Sequence, residues 1–235
     1  MAPLKFGTLV YDFQALDVVG PIDLVNSCSK RYLQECSSLM KIEQETISPA
    51  QDFTFHWIGL NKDTFVLNSG SLPIVPSITV EECSDLDILL LGGPDPSKFQ
   101  LHPKYAEFIQ RHVAAGKLLF TTCTGAMVAA AAGVLDGKKA TINHACIPFM
   151  KQAFPNVNWT DEKKWVIDGN IWTSGGAVAG MDMLAHWIKE NSGLDVLTVG
   201  SSLLDYEPRD IDGILNVIPK RFDEDGKQLP THVFN

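Results

Sequence analysis

The sequence predicts an α/β fold, with a mostly parallel sheet and helices on both faces. Short β-type runs and helical segments alternate along the chain, the order that parallel strands with crossover helices require. The run Asp87–Leu91 is continuously apolar after its first residue, as expected for a central strand covered on both faces. A further run, Lys117–Thr121, leads through Thr122–Gly125 directly into a helix of small residues. This strand–turn–helix pattern is typical of a nucleophile elbow.

The other elements follow from the same periodicities. Lys5–Tyr11 is predicted to be the first strand, because the apolar run ends at Asp12 and no small-residue cleavage site of a signal peptide follows. One long helix is expected from Ile22 to about Met40, opened by the segment Asp17–Pro21. The remaining predictions are strands at Phe53–Leu60 and Ala140–Thr141, hairpins at Phe65–Val75 and Trp165–Thr173, and helices at Tyr105–Ala115, Ala126–Ala132, Ile147–Phe154 and Val178–Glu190.

The bulk composition bounds the class of protein. With 235 residues, 45% of them hydrophobic and 20% charged, the chain suits one α/β domain, or two small ones, with a sizeable buried core. We expect a single domain over residues 1–235, with a core at about 4–190 and a polar, Pro-containing tail at 205–235.

Charge and cysteine usage exclude several partners. The formal net charge is −9 with no basic block, which argues against nucleic acid, because phosphate binding needs clustered Lys and Arg. No apolar run approaches the roughly 20 residues that span a bilayer, so we expect no membrane partner. The five cysteines form no CxxC pair, and a reduced, cytoplasmic protein is the simplest interpretation.

Cys123 is the candidate nucleophile. The sharp turn would expose its side chain at the carboxyl edge of the sheet, where open α/β folds bind ligands. The dipole of the following helix would favour the thiolate and lower the pKa of the thiol below about 8.5. The alternative is a buried structural cysteine, which is also our interpretation of the other four. Those four are Cys28, Cys36, Cys83 and Cys146.

Five motifs follow one another between Leu4 and Glu190: Leu16–Pro21, Leu89–Gly93, Thr122–Gly125, Gly133–Thr141 and Thr173–Ala177, the last with Gly180 and Asp182 behind it. In this order they resemble the ThiJ/PfpI superfamily, the single-domain relatives of class I glutamine amidotransferases. The resemblance implies a flavodoxin-like sandwich with a cysteine nucleophile. It also implies a homodimer. A glutaminase would need a later His-x-Glu pair, which is absent, so amidotransferase activity is not expected.

The residue after the nucleophile separates branches of that superfamily. Chaperone-type glyoxalases and PfpI-type peptidases usually carry His there, whereas this chain has Thr124. Cys-Thr-Gly together with the early Leu-Asp-x-x-Gly-Pro resembles the isocyanide hydratase branch. It also resembles the regulatory domains of some AraC-type transcription factors. Those factors add a helix-turn-helix domain, for which the chain has neither room nor basic charge.

Asp17 is the second candidate catalytic residue. The resemblance brings it near Cys123, and a carboxyl beside a thiolate has a raised pKa, so that it can hold and donate a proton. The alternative is a helix N-cap, since Asp before Gly20 and Pro21 suits a helix start.

Four further residues complete the predicted site. Gly92, Gly93 and Thr124 are candidates for main-chain N–H donors to a developing negative charge, and the Thr124 hydroxyl either binds substrate or caps the elbow helix. His144, near where several relatives place a histidine, is a candidate partner of the thiol, the alternative being a polar edge or core histidine. The sequence shows neither a metal-ligand cluster nor a phosphate-binding loop, so we expect no metal and no cofactor.

Three functions remain open from the sequence. The first is a cofactor-free hydratase or lyase acting on a small electrophilic substrate, by resemblance an isocyanide converted to an N-formamide. The second is glyoxalase III or deglycase chemistry on 2-oxoaldehydes, which usually needs a histidine beside the thiolate. The third is a cysteine redox sensor or chaperone-like protein without enzymatic activity, because an exposed thiolate is readily oxidised.

Overall fold

The computed structural model describes residues 2–208, and its strands carry the predicted alternation. The strands are β1 (Leu4–Leu9), β2 (Phe53–Gly59), β3 (Phe65–Val66), β4 (Pro73–Ile74), β5 (Ile78–Thr79), β6 (Ile88–Leu91), β7 (Leu118–Thr121), β8 (Lys139–Ala140), β9 (Asn158–Trp159), β10 (Trp165–Asp168) and β11 (Ile171–Ser174).

Seven of these strands form one sheet in the order β10-β11-β7-β6-β1-β2-β5. Every neighbouring pair is parallel except β10 and β11, which form the predicted antiparallel hairpin with Gly169 at a φ of 63° in its turn. The predicted hairpin at Phe65–Val75 is also confirmed, as the separate antiparallel pair β3–β4. The mostly parallel α/β prediction is therefore confirmed.

Helices cover both faces of the sheet. One group packs together as α1, α7 and α8, while α4 packs on β7 and α5 on β6 and β7. The helices are α1 (Ala15–Ser27), α2 (Lys30–Cys36), α3 (Gln44–Ile47), α4 (Pro103–Ala114), α5 (Gly125–Ala131), α6 (Ile147–Ala153), α7 (Ala177–Ser192) and α8 (Leu194–Leu203).

The middle of the sheet aligns three strand ends. All four residues of β6 are buried, as predicted for a central strand. Because β1, β6 and β7 are adjacent and parallel, the segments that leave their carboxyl ends lie side by side. Those segments carry Asp17, Gly93 and Cys123, so the topology brings the predicted site residues to one edge.

The prediction of one helix from Ile22 to about Met40 is wrong. α1 begins at Ala15, includes Pro21 in its interior and ends at Ser27. A new helix, α2, then starts behind Ser29, whose Oγ accepts a hydrogen bond from the N–H of Tyr32. The apolar spacing continues across this break, because both helices bury one face in the same core.

The packed core extends beyond the predicted boundary at residue 190. α8 buries Val196 and Leu197, and the hydroxyl of Tyr206 donates to the buried carboxyl of Asp182 in α7. Of the predicted tail at 205–235, residues 209–235 lie outside the described residues. Within residues 2–208, no helix has the length and apolar character needed to cross a bilayer.

Candidate active site

Cys123 occupies a strained elbow between β7 and α5. Its φ is 54°, in the left-handed region that residues other than glycine rarely adopt. The turn is closed by hydrogen bonds from the N–H of Thr122 to the Leu91 carbonyl (3.0 Å) and from the N–H of Gly125 to the Thr122 carbonyl (2.8 Å). A Cβ at Gly125 would collide with the Leu91 carbonyl, so the elbow requires glycine there. The thiol is half-buried at the surface of this edge.

Asp17 lies in the first turn of α1 and is fully buried. Its Oδ2 accepts a hydrogen bond from the N–H of Gly93 at 2.8 Å, whereas Oδ1 has no hydrogen-bond partner among the described residues. The N-cap position of α1 belongs to Gln14, so Asp17 does not cap the helix. Its carboxyl instead faces the elbow, with one oxygen held and the other free to carry a proton.

Gly93 lies between the first turn of α1, which carries Asp17, and the elbow, which carries Cys123. A Cβ added there would lie 2.5 Å from the Thr124 hydroxyl and 2.7 Å from Asp17 Oδ2. The segment is anchored from the other side by a hydrogen bond from the N–H of Gln14 to the Gly93 carbonyl (2.9 Å). In this arrangement the Gly93 N–H is used by Asp17, so the glycine positions the carboxyl instead of presenting a free donor.

The Gly92 carbonyl and the Thr124 hydroxyl both form hydrogen bonds within the chain. The Gly92 carbonyl accepts a hydrogen bond from the buried Tyr11 hydroxyl at 2.7 Å. The Thr124 hydroxyl donates to the Pro94 carbonyl at 2.6 Å and does not cap α5. The main-chain N–H of Thr124 faces the sulfur of Cys123. The N–H of Thr124, and not its hydroxyl, is therefore the group that can stabilise a negative charge on the Cys123 sulfur.

Burial dominates the acidity of both candidate catalytic groups. It raises the pKa of Asp17 from 3.8 to about 7, only partly offset by the hydrogen bond from Gly93. Burial also raises the pKa of Cys123, with the negative charge of Asp17 acting in the same direction. The hydrogen bonds from Asn143 and Thr124 oppose this rise. The expectation of a lowered thiol pKa is thus wrong, because burial and the charge of Asp17 outweigh the two hydrogen bonds that the sulfur accepts.

Burial raises both pKa values, and the charge of Asp17 links the ionisation of Cys123 to its own. A proton on Asp17 removes the negative charge that raises the pKa of Cys123, so protonation of the carboxyl favours the thiolate. One proton shared by the pair gives either carboxylate with thiol or carboxylic acid with thiolate. The second arrangement supplies a nucleophile and a proton donor together.

Asn143 is a site residue that the sequence analysis missed. Its Nδ2 donates to Cys123 Sγ at 3.5 Å, from the loop that follows β8. The same loop forms a short 3-10 turn at His144–Cys146, which places the Cys146 thiol close enough to Cys123 to disfavour its ionisation. Asn directly before the predicted His144 was the available signal.

The His144 ring lies against Gly175 and is not among the groups that shift the pKa of Cys123. Its Nε2 is buried without a hydrogen-bond partner among the described residues and lies 3.0 Å from the position a Cβ would take on Gly175. The side chain that contacts the sulfur from this turn is therefore Asn143. Across residues 2–208, no three His, Cys, Asp or Glu side chains come together as a metal site.

Comparisons with known proteins place the chain in a family. The chain matches the model of the DJ-1/PfpI family over residues 9–190. It is 28% identical over 208 residues to an isonitrile hydratase of Pseudomonas putida, covering 87% of this chain and 79% of the relative.

The chain is also similar to a transcriptional regulator and to a solved structure. The chain is 29% identical over 154 residues to the HTH-type transcriptional regulator GbdR of Pseudomonas aeruginosa, covering 65% of this chain but 42% of the regulator. The crystal structure of a ThiJ/PfpI family protein from Pseudomonas syringae superimposes with a TM-score of 0.68 at 22% identity, covering 89% of this chain and 78% of that one. At this identity the structural likeness shows the fold alone.

Proposed function

The chain belongs to the DJ-1/PfpI family, and from this premise we propose that it is a cofactor-free, cysteine-dependent hydro-lyase that converts an isocyanide to an N-formamide. The observation that carries the proposal is the pairing of Cys123 with the buried carboxyl of Asp17, whose free Oδ1 can hold a proton. Hydration of an isocyanide needs one nucleophile and one group that gives and takes protons. The similarity to isonitrile hydratase supports this choice of substrate.

The first step forms a covalent intermediate. The Cys123 thiolate attacks the terminal carbon of the isocyanide, and Asp17 transfers its proton to that same carbon. The product is a thioimidate in which the former isocyanide carbon carries hydrogen, sulfur and a double bond to nitrogen. Asp17 is left as a carboxylate. The N–H of Thr124 and the Asn143 amide both donate hydrogen bonds to the sulfur, whose negative charge is lost in this step.

The second step returns both groups to their starting state. The Asp17 carboxylate takes a proton from water while the water oxygen adds to the thioimidate carbon. Asp17 then passes that proton to the nitrogen. The tetrahedral intermediate then collapses: the new hydroxyl gives its proton to Asp17, a carbonyl forms, and the thiolate leaves. The sum is isocyanide plus water giving N-formamide, with no other reactant.

A turnover assay tests the proposal. The protein is incubated with aliphatic and aromatic isocyanides, and the N-formamide is quantified. Cys123→Ala is expected to lower turnover by at least roughly 10³-fold. Cys36→Ser, a substitution of a cysteine in α2 outside the site, is the matched control and is expected to turn over normally. Unchanged turnover in Cys123→Ala, or none in the wild type with any isocyanide, contradicts the proposal.

The alternatives give different results in parallel assays. Glyoxalase or deglycase activity predicts turnover of 2-oxoaldehydes above that of isocyanides; His144, turned toward Gly175, speaks against it. A sensing role, as the similarity to a transcriptional regulator permits, predicts binding of a small molecule without turnover. A redox sensor predicts peroxide oxidation confined to Cys123, with no turnover of the panel.

We further propose that residues 1–235 form one domain that acts as a cytoplasmic homodimer, as the family resemblance implies. Light scattering of the purified protein measures its mass in solution. A monomer of 25.8 kDa at micromolar concentration contradicts the dimer.

A further inference from the structure

Asn143 touches the sulfur and has one possible orientation. Its Oδ1 accepts a hydrogen bond from the N–H of Ala145 at 3.1 Å, which fixes the oxygen end of the amide. The NH2 end therefore faces Cys123 Sγ, 3.5 Å away. Exchanging oxygen and nitrogen would set an NH2 group against an N–H donor, so the hydrogen bonds decide the assignment.

The loop holds Asn143 in place from two sides. Besides the side-chain contact, the N–H of Cys146 donates to the Asn143 carbonyl at 2.8 Å and closes the 3-10 turn. A donor fixed in this way pays little conformational entropy when charge develops in front of it. The half-buried setting also strengthens the interaction relative to water.

We propose that Asn143 is a catalytic residue: its amide donates to Cys123 Sγ, favours the anionic sulfur before attack, and stabilises the same sulfur when it leaves the carbon. The inference rests on the proposed function for the reaction itself. The hydrogen bond acts already in the free protein, because a thiolate accepts from an N–H more strongly than a neutral thiol does. Asn143 transfers no proton.

The groups around the sulfur make this donor important. Asp17 of α1 and Cys146 of the same turn both disfavour a negative charge on Cys123, as does burial. The donors recorded against the sulfur in the described part of the chain are the Asn143 amide and the Thr124 N–H. Of these two, only the side chain of Asn143 can be removed by substitution.

Two substitutions separate this role from the capping of the turn. Asn143→Ser and Asn143→Asp each keep an oxygen that can accept from the Ala145 N–H. The ionised aspartate has no donor, and the serine hydroxyl ends one bond short of the amide nitrogen that reaches the sulfur. Ionisation of Cys123 is measured from the pH dependence of its alkylation by iodoacetamide, followed by mass spectrometry of the labelled peptide, without substrate. We expect a thiolate fraction at neutral pH lower by roughly tenfold in Asn143→Ser, one pKa unit, and lower still in Asn143→Asp.

Ser29→Ala is the matched control. It removes the side-chain cap of α2 and touches no site residue, so the alkylation profile of Cys123 is expected to stay unchanged. Wild-type profiles in both Asn143 variants overturn the inference. Reduced alkylation in both variants, together with a wild-type protein that hydrates no isocyanide, contradicts the proposed function but supports the hydrogen bond.

Discussion

The hydroxyl of Thr122 donates a hydrogen bond to the main-chain carbonyl of Asp17 at 2.8 Å. In an uninterrupted helix this carbonyl would accept from the N–H four residues later, but that residue is Pro21, which has none. Proline inside α1 therefore frees the carbonyl of one candidate catalytic residue for the residue that precedes the other. The bond ties the first turn of α1 to the elbow.

Thr122→Val should loosen this tie. Valine has nearly the same shape but no hydroxyl, so the buried Asp17 carbonyl loses its side-chain donor, at a cost of about 1–3 kcal/mol in the free energy of unfolding. Because Asp17 is then held less firmly, we expect isocyanide turnover to fall by roughly threefold to tenfold. Urea unfolding and the N-formamide assay measure the two effects.

Thr8→Val is the control for that substitution. The Thr8 hydroxyl is also buried, but it has no hydrogen-bond partner among the described residues. Its removal is expected to leave stability unchanged or improved, because no bond is lost. Equal losses in both variants would show that the hydroxyl of Thr122 contributes nothing through Asp17.

Asp17→Asn should move alkylation and turnover in opposite directions. The negative charge of Asp17 raises the pKa of Cys123, so its removal increases the thiolate fraction at neutral pH, by up to roughly tenfold. Iodoacetamide should therefore label Cys123 faster. N-formamide production should nevertheless collapse, because asparagine cannot donate or take the proton. Parallel loss of both activities would indicate a distorted site.

The stability of the protein should depend on the protonation of Asp17. Burial raises its pKa from 3.8 to about 7, so between these values the folded state binds a proton that the unfolded state has released. Stability contributed by the neutral carboxyl is complete below pH 3.8 and is lost as the pH rises through 7. The difference in pKa corresponds to roughly 4 kcal/mol as an upper limit.

Asp17→Asn removes this dependence. The free energy of unfolding of the variant, relative to that of wild type, should increase from pH 4 to pH 8, since asparagine does not ionise. Denaturant unfolding of both proteins at the two pH values isolates the effect as a difference of differences. A stability difference that is independent of pH would mean that Asp17 titrates near its ordinary value.

Gly93→Ala tests the close contact between α1 and the elbow. The new methyl group would lie 2.5 Å from the Thr124 hydroxyl and 2.7 Å from Asp17 Oδ2, so both must move. We expect roughly 10²-fold slower turnover and a lower melting temperature. Gly176→Ala is the control, because its Cβ meets nothing within 4 Å and its φ of −176° is ordinary extended backbone. Similar losses in both would contradict the steric argument.

The sequence was sufficient for the features that depend on local pattern. The continuous apolar run of β6 and the small residues behind Cys123 follow directly from burial and close packing, and both are confirmed. The end of α1 could not be predicted from the pattern, because Leu24, Cys28 and Tyr32 keep one helical spacing across the break at Ser29. The capping preference of Ser29 was the signal that competed with that spacing.

The electrostatics of the site could not be predicted in this way. The direction of the Cys123 pKa depends on how deeply the sulfur and Asp17 are buried, which is a property of the packed core and not of the motif. Asn143 reaches the sulfur through a single 3-10 turn, and a contact between residues 20 apart in the chain leaves no periodic trace. Sequence patterns locate the candidate nucleophile and the Thr124 N–H beside it, but not the Asn143 amide.

The left-handed backbone at Cys123, with its φ of 54°, also limits which nucleophiles evolution or design can place at the elbow. Serine has the same unbranched Cβ and can adopt this conformation at similar cost. Threonine cannot, because a second substituent on Cβ makes positive φ a severe outlier. A switch from sulfur to oxygen chemistry on this scaffold is therefore open through serine and closed through threonine.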